Sequence, residues 1–330
     1  KASEKYWKTA QQRFKLKSWG YVTPENARVF CAKEISMTVK DGIRQYHLSQ
    51  ASDIKQFLKD HMGGGCIPVS SPMSSKSELY SNVTPLEPRE AEQAQSLIGH
   101  LTWFAKETRD DIAGAVNMVA QTMKQPTQGT MKAIRRIMAY LMGTADRKLS
   151  VDRVKGTRWD FYVDSDHAGD RNNGDTRSRT GIMLLINGMQ FHWRSTKQPV
   201  TAMSSAAAEI IALSECVKDV QLRMWIAQES GIPIDWPVKI LVDNKAAVNF
   251  QNNMNPNSKL KGVFDMRHGW LKELHDKKRF KVVKVHTEKN LADPLTKPVP
   301  PLVRKRLDME LDRIKALVVS TFRGQIRVST

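Results

Sequence analysis

An apolar strand that ends in a cluster of acids constrains this 330-residue chain more than any other feature. Residues 161–170 read FYVDSDHAGD. Aromatic and β-branched residues begin a strand, and Asp164, Asp166 and Asp170 then fall within seven positions. Two explanations compete. Asp and Gly favour turns, because Asp hydrogen-bonds its own backbone and Gly tolerates positive φ. Carboxylates grouped at a strand end also suit hard divalent cations, which take oxygen ligands. What the rest of the chain brings to that end of the sheet decides between them.

Beyond residue 150 the pattern predicts an α/β fold. WDFYVDSD, TGIMLLING and QFHWRST read as three successive strands, SSAAAEIIALSECVKDVQLRMWIAQES as a long helix, and PVKILVDN as a fourth strand. KAAVNFQNN and GVFDMRHGWLKELHDKK read as helices, RFKVVKVHT as the fifth strand and PPLVRKRLDMELDRIKAL as a last helix. That order implies a mixed five-stranded sheet flanked by helices.

The upstream half reads as mixed α/β, then helical. EKYWKTAQQRFKLKSWG looks like a basic helix closed by Gly20, VFCAKEISMTV like one strand, DGIRQYHLSQ like a turn and a strand, and ASDIKQFLKDHM like a helix. Residues 63–88 are rich in Gly, Ser and Pro and read as an extended connector. Three helices follow: REAEQAQSLIGHLTWFAKE, RDDIAGAVNMVAQTMK and TQGTMKAIRRIMAYLMG. The last carries Lys132, Arg135 and Arg136 beside an apolar stripe, as a solvated face or as a phosphate-contacting one. A shift of composition at GTADRKLSVDRVKGTRW predicts a domain boundary near 150. The expected units are 1–62, 63–88, 89–150, 151–300 and a basic helix and tail at 301–330.

Four acids take distinctive places in this order. Asp164 and Asp243 stand at the carboxyl ends of the first and fourth strands beyond 150, and Asp293 follows the fifth in NLADPLTK. Ligands bind at that edge of α/β sheets. Glu209 lies one turn above Leu213, Cys216, Val220 and Met224, an apolar helical line. A carboxylate on a buried face is unfavourable unless paired or metal-bound. With Ser205 as the N-cap candidate, Glu209 is four residues on, whereas a capping box needs three. A pair of divalent cations roughly 3.5–4 Å apart would draw the four acids together and hold a phosphodiester for in-line attack. Without cations they would repel one another.

Charge points the same way. Lys and Arg exceed Asp and Glu by 52 − 34 = +18, a surplus that favours polyanions. No amphipathic basic helix with a bulky apolar face indicates a membrane surface, and no apolar run approaches the roughly 18 residues of a bilayer span. Three scattered cysteines form no zinc or disulfide pattern and suggest a reducing, intracellular setting. The chain opens with Lys1 and shows no signal-peptide pattern, so a fragment or processed product is expected.

The segments YVDSDHAGD, TRSRTGIML, WRSTKQPVTAMSSAAAEIIALSE, LVDNKAA and LADPLTKP resemble the ribonuclease H domain of copia-type retrotransposon Pol polyproteins, in order through about 157–300. RFKLKSWG, YHLSQ, SPMSS, SLIGHLTWFAKETRDDIAGAV and AIRRIMAYLMGT resemble the region after the polymerase active site, so nearly the whole chain is similar to the carboxyl-terminal third of such a polyprotein. The resemblance implies that Asp164, Glu209, Asp243 and Asp293 are the catalytic metal ligands, and that Asp166 is a frequent but non-catalytic acid. It implies cleavage of the RNA strand of an RNA–DNA hybrid with two Mg2+ ions, or Mn2+ in their place, leaving a 3′-hydroxyl and a 5′-phosphate.

It also makes Arg194, Lys197 and Gln198, in the loop before the Glu209 helix, candidates for hybrid contacts beside Lys132, Arg135 and Arg136. His286, seven residues before Asp293, is either an auxiliary in product release or a strand-end surface histidine. Residues 1–62 become a palm and thumb remnant, and 89–150 a thumb and connection region. The remaining reverse transcriptase segments become partners, with a cytoplasmic virus-like particle or the nucleus as the setting.

Departures from the family occur at Ala207, where an acid is usual, at Asp110, which replaces a proline, and at Val263-Phe264-Asp265-Met266-Arg267, which replaces a His-Ile-Asp-Ile-Arg run. They bear on substrate handling rather than metal binding. The Tyr/Phe-x-Asp-Asp hairpin and earlier palm aspartate of reverse transcriptases are absent from the sequence, so this stretch alone is not expected to polymerise DNA. The alternative to an active nuclease is a catalytically inactive nucleic-acid-binding remnant. A transposase or integrase core would place its Glu after the second strand-end Asp, whereas here Glu209 precedes Asp243.

Overall fold

The computed structural model describes residues 11–12, 20–40, 42–63, 66–152, 158–167, 175–252 and 261–328; the side chains of 246, 250–252, 261–268 and 321–328 are not described. The basic helix expected before Gly20 lies almost wholly outside the described residues, as does Asp170.

Two sheets organise the chain. The first is antiparallel, in the order β1 (Arg28–Phe30), β2 (Lys33–Lys40), β3 (Ile43–Ser49) and β4 (Leu149–Asp152). VFCAKEISMTV is therefore two strands rather than one. Cys31 and Ala32 take φ of 49° and 56° and turn the chain back on itself, a hairpin that Asn-Gly ordinarily announces. β4 sets Leu149 opposite Leu48.

Four helices lie between β3 and β4: α1 (Ala51–Met62), α2 (Pro88–Glu107), α3 (Asp110–Ala120) and α4 (Gln128–Thr144). α2 starts where Glu87 and Glu90 close a capping box around Pro88, and α4 where the Thr127 hydroxyl accepts from the Thr130 N–H. Within 63–88 a 3-10 turn at Lys76–Tyr80 interrupts the connector.

The second sheet has the order β7-β6-β5-β8-β9, with β5 (Trp159–Asp166), β6 (Arg179–Ile186), β7 (Met189–Lys197), β8 (Val238–Val242) and β9 (Phe280–Lys284). β5, β6 and β7 pair antiparallel; β8 runs parallel to both β5 and β9. The helices from here on are α5 (Ser205–Glu229), α6 (Lys245–Asn252), α7 (Lys261–Asp276), α8 (Asp293–Thr296) and α9 (Pro301–Val328). No described helix is long and apolar enough to cross a membrane.

Strand alternation gives this sheet two buried faces. Phe161, Val163, Ile182 and Leu184 meet Leu213, Cys216, Val220 and Met224 of α5. Tyr162, Met183 and Leu185 turn the other way and join Ile112, Ile134 and Leu141 of the upstream helices, with Leu307, Leu311 and Ile314 of α9. Each such side chain contributes roughly 1.5–3 kcal/mol when fully buried. One apolar cluster thus crosses residue 150, where the composition shifts, and the upstream helices form one wall of the sheet that carries the acids.

Candidate metal centre

Strand register builds the first half of the site. Val163 is the partner of Val242 in the parallel β5–β8 ladder, so the next residues, Asp164 and Asp243, leave adjacent strand ends side by side. α5 supplies the third acid. Its N-cap is Ser204, whose hydroxyl accepts from the Ala207 N–H at 3.1 Å, not Ser205 as the sequence suggests. Glu209 is then five residues past the cap, and it is buried. Asp164, Glu209 and Asp243 each offer a carboxylate oxygen, all within 4.8 Å of one another.

Asp293 arrives on α8, behind a loop that the Asn290 side chain pins to the backbone on both sides. The Asn290 amide donates to the Val163 carbonyl at 3.0 Å, and its oxygen accepts from the Ala292 N–H at 3.2 Å. Two glycines let α8 in. A Cβ at Gly181 would stand 2.9 Å from the Ala292 carbonyl oxygen, and one at Gly114 would stand 2.1 Å from that of Pro294. Asp293 does not join the close trio of carboxylates; an ammonium links it. Lys297 Nζ lies 3.2 Å from Asp293 Oδ2 and 3.8 Å from Asp164 Oδ2, and the Thr296 hydroxyl also donates to Asp164. Three of the four expected ligands therefore meet directly, and the fourth is tied to them through a lysine that the sequence reading passed over. The available signal was its spacing, one helical turn after Asp293.

The charge here is undercompensated. Burial, reinforced by Asp164 and Asp243, pushes the Glu209 carboxyl up to about 9. Burial and the neighbouring Asp164 push Asp293 up to about 7. Asp164 is raised as well, chiefly by burial. Burial works to lower Lys297, yet Asp164 and Asp293 hold it above the ordinary lysine value. Two buried oxygens, Glu209 Oε2 and Asp293 Oδ1, have no hydrogen-bond partner among the described residues. An all-carboxylate donor set with unpartnered oxygens fits a hard divalent cation such as Mg2+ or Mn2+.

The expected nucleic-acid contacts divide. Arg194 and Lys197 belong to strand β7 rather than to a loop. Arg194 is 3.2 Å from Asp219 and 3.8 Å from Glu215 on α5, and Lys197 is 2.6 Å from Asp175. Gln198 is buried, its amide donating to Thr180 Oγ1 at 3.1 Å and to the Ala208 carbonyl at 2.9 Å. These bonds anchor the start of α5. On α4, Lys132 and Arg135 are exposed, whereas Arg136 is half-buried 3.6 Å from Glu78. Glu78 shares its 3-10 turn with Lys76, which pairs with Asp166. That turn bridges the basic helix to the end of β5. Asp166 also accepts from the Arg179 N–H at 2.5 Å, a structural role.

His286 is exposed and accepts from the Glu288 N–H at 3.3 Å through Nδ1. Ala207 is buried, and Asp110 is buried between Arg147 at 3.6 Å and Arg304 at 3.7 Å. The backbone of 263–267 lies in α7, with side chains outside the described set.

A sheet of three antiparallel strands followed by two parallel ones, crossed by a long helix and edged with acids, is a ribonuclease H-like α/β domain. No family model matches the chain. It is 31% identical over 266 residues to the retrovirus-related Pol polyprotein from transposon TNT 1-94 of Nicotiana tabacum, covering 78% of this chain and 19% of that one. It is 31% identical over 255 residues to the retrovirus-related Pol polyprotein from transposon RE1 of Arabidopsis thaliana, covering 77% and 17%. The chain belongs to the family of copia-type retrotransposon Pol polyproteins, and it spans less than a fifth of the length of these curated relatives. A solved structure of LC11-RNase H1, isolated from compost by a metagenomic approach, overlaps with a TM-score of 0.34 at 17% identity, covering 47% of this chain and 98% of that one. The fold assignment rests on the sheet order and strand directions, not on that overlap.

Proposed function

We propose that this chain is a divalent-cation-dependent ribonuclease H that hydrolyses the RNA strand of RNA–DNA hybrids, leaving a 3′-hydroxyl and a 5′-phosphate. The observation that carries this reading is the trio of buried Asp164, buried Glu209 and half-buried Asp243, with oxygens within 4.8 Å of one another. Asp164, Glu209, Asp243 and Asp293 would hold two Mg2+ ions, with Mn2+ as a substitute. When bound, such ions lower the pKa of an attacking water and neutralise the departing oxygen.

The chain's own residues prepare that chemistry by position. Asp164 stands between two groups of ligands, with Glu209 and Asp243 on one side and Asp293 reached through Lys297 on the other. Gln198 and Ser204 fix the start of α5 and hence Glu209; Asn290 fixes the loop that carries Asp293. Burial keeps Asp164, Glu209 and Asp293 largely from water, so a cation bound to them acts at low dielectric. Lys132 and Arg135 offer exposed cations for hybrid phosphates. The other reverse transcriptase segments of a parent polyprotein would be its partners, inside the cell in a particle or in the nucleus.

Asp243→Asn tests the proposal on labelled hybrid, with Mg2+ and with EDTA. Cleavage is expected to vanish in the variant and in EDTA, while hybrid binding stays within a few-fold, because one charge among many changes affinity little. Equal loss of cleavage and binding would make Asp243 structural. Hybrid binding without Mg2+-dependent cleavage by the unaltered protein would instead make the chain an inactive nucleic-acid-binding remnant.

A further inference from the structure

The two halves of the carboxylate site are not equivalent. Glu209 Oε2 and Asp293 Oδ1 both lack a hydrogen-bond partner among the described residues, but only Asp164 and Asp293 have an ammonium beside them there. Across Asp164, the other half already holds a cation, since Lys297 Nζ sits 3.2 Å from Asp293 and 3.8 Å from Asp164. Asp164 and Asp293 are nearly enclosed, with side chains 3% and 8% exposed, whereas the Lys297 side chain is 42% exposed. The carboxylates are fixed, and the ammonium has a way out to solvent.

We infer that Lys297 is a tethered counter-cation that occupies the Asp164–Asp293 side of the site and must leave before a second divalent ion binds there. This rests on the proposed reading of the carboxylates as cation ligands. An ammonium and a dication at the same two oxygens repel strongly at short range, so only one is accommodated. The first ion therefore enters through Asp164, Glu209 and Asp243, where Lys297 touches only one of the three ligands, Asp164, and from the far side of an ion pair at 3.8 Å. The second displaces Lys297 and binds more weakly. A displaced ammonium on a long flexible stem finds a new partner in a nearby phosphate. Bound hybrid would therefore favour the second ion by drawing Lys297 away. Lys297 is a positioning residue in this scheme.

Calorimetric titration of the full chain with Mn2+, at fixed pH and without nucleic acid, tests this. The unaltered protein is expected to bind one ion at least tenfold more tightly than a second. In Lys297→Met, the second ion is expected to tighten at least tenfold and the first to change little. Lys297→Gln repeats the test with a different neutral side chain, and Lys297→Arg is expected to retain the weak second step. An unchanged second step in both neutral variants would overturn the inference and leave the proposed function standing. Equal tightening of both ions would overturn it too, since a general field effect needs no occupancy. Failure of the unaltered protein to bind any divalent ion would overturn the proposed function along with it.

Discussion

Around Arg109, three guanidinium groups meet three carboxylates; at the edge of the second sheet, four carboxylates share one ammonium, Lys297, which reaches only Asp164 and Asp293. In the first group, Arg109 makes a two-pronged bond to Asp111 at 2.9 and 2.7 Å, Tyr140 donates to Asp111 at 2.9 Å, and Arg147 and Arg304 reach Asp110 and Asp308. Burial works to raise Asp111, but Arg109 and Arg147 hold it far below the usual carboxylate range. In the second group, burial raises Glu209 to about 9 and Asp293 to about 7, and Lys297 offsets only part of it. Both groups contain buried acids, Asp110 and Asp111 in the first and Asp164, Glu209 and Asp293 in the second, so burial does not tell them apart. The balance of charge does. The matched cluster joins α3, α4 and α9 as structure, and the unmatched one calls for cations from outside.

Breaking the matched cluster has the largest expected effect. Asp111→Asn leaves the fully buried Arg109 without its ionic partner, and removing one partner of a buried pair costs about 3–5 kcal/mol. Urea denaturation is expected to show a loss of that size, a large part of the stability of an ordinary domain. A loss below about 1 kcal/mol would mean that solvent or the neighbouring carboxylates take over, and the two clusters would not differ as argued.

Relieving the unmatched cluster is expected to do the opposite. Glu209 rises from an ordinary 4.5 to about 9 in the folded protein. A raised carboxyl contributes stability that is fully present below its unfolded value and is lost as pH climbs through the folded value. In EDTA, Glu209 alone should therefore remove about 1.4 kcal/mol per pH unit across that window, or about 3 kcal/mol between pH 5 and pH 7. Glu209→Gln is expected to cut this slope and to be more stable than the unaltered protein at pH 7 without metal, although it cannot cleave. Parallel pH profiles for the two proteins would show that Glu209 is not under strain.

The sequence disclosed this contrast unevenly. Asp164 and Asp243 were legible because apolar strands announced where their carboxyl ends must be, and Glu209 because it breaks an apolar helical line. Lys297 was not, because a lysine in a polar loop looks like any solvated cation until Asp164 is seen beside it. α8 has four residues, too few to show a period. Gln198 has the composition of a surface residue, and only the folded contacts to Thr180 and Ala208 reveal it as buried. The hairpin at Cys31 and Ala32 and the pairing of β4 with β3 escaped for a related reason. The turn lacks the residues that favour positive φ, and the pairing joins segments distant in sequence. Apolar periodicity was readable, whereas short turns and long-range charge pairing were not.

The same distinction between matched and unmatched charge sorts the basic residues, and it carries the smallest expected effect. Arg194 is held by Asp219 and Glu215, and Gln198 is buried, whereas Lys132 and Arg135 are exposed and make no ion pair among the described residues. Each phosphate contact contributes about 0.9 to the slope of log affinity against log salt for a duplex. Replacing both Lys132 and Arg135 by Ala should therefore lower that slope by up to about 2, read by fluorescence anisotropy on hybrid over a salt series in EDTA. Arg194→Ala should leave the slope unchanged, since an arginine held by two carboxylates neutralises no phosphate and so frees none of the hybrid's counterions. If the slope falls in Arg194→Ala and not in the double variant, the hybrid runs along β7 rather than α4. The exposed face of α4 would then be a solvated one, as composition alone allowed.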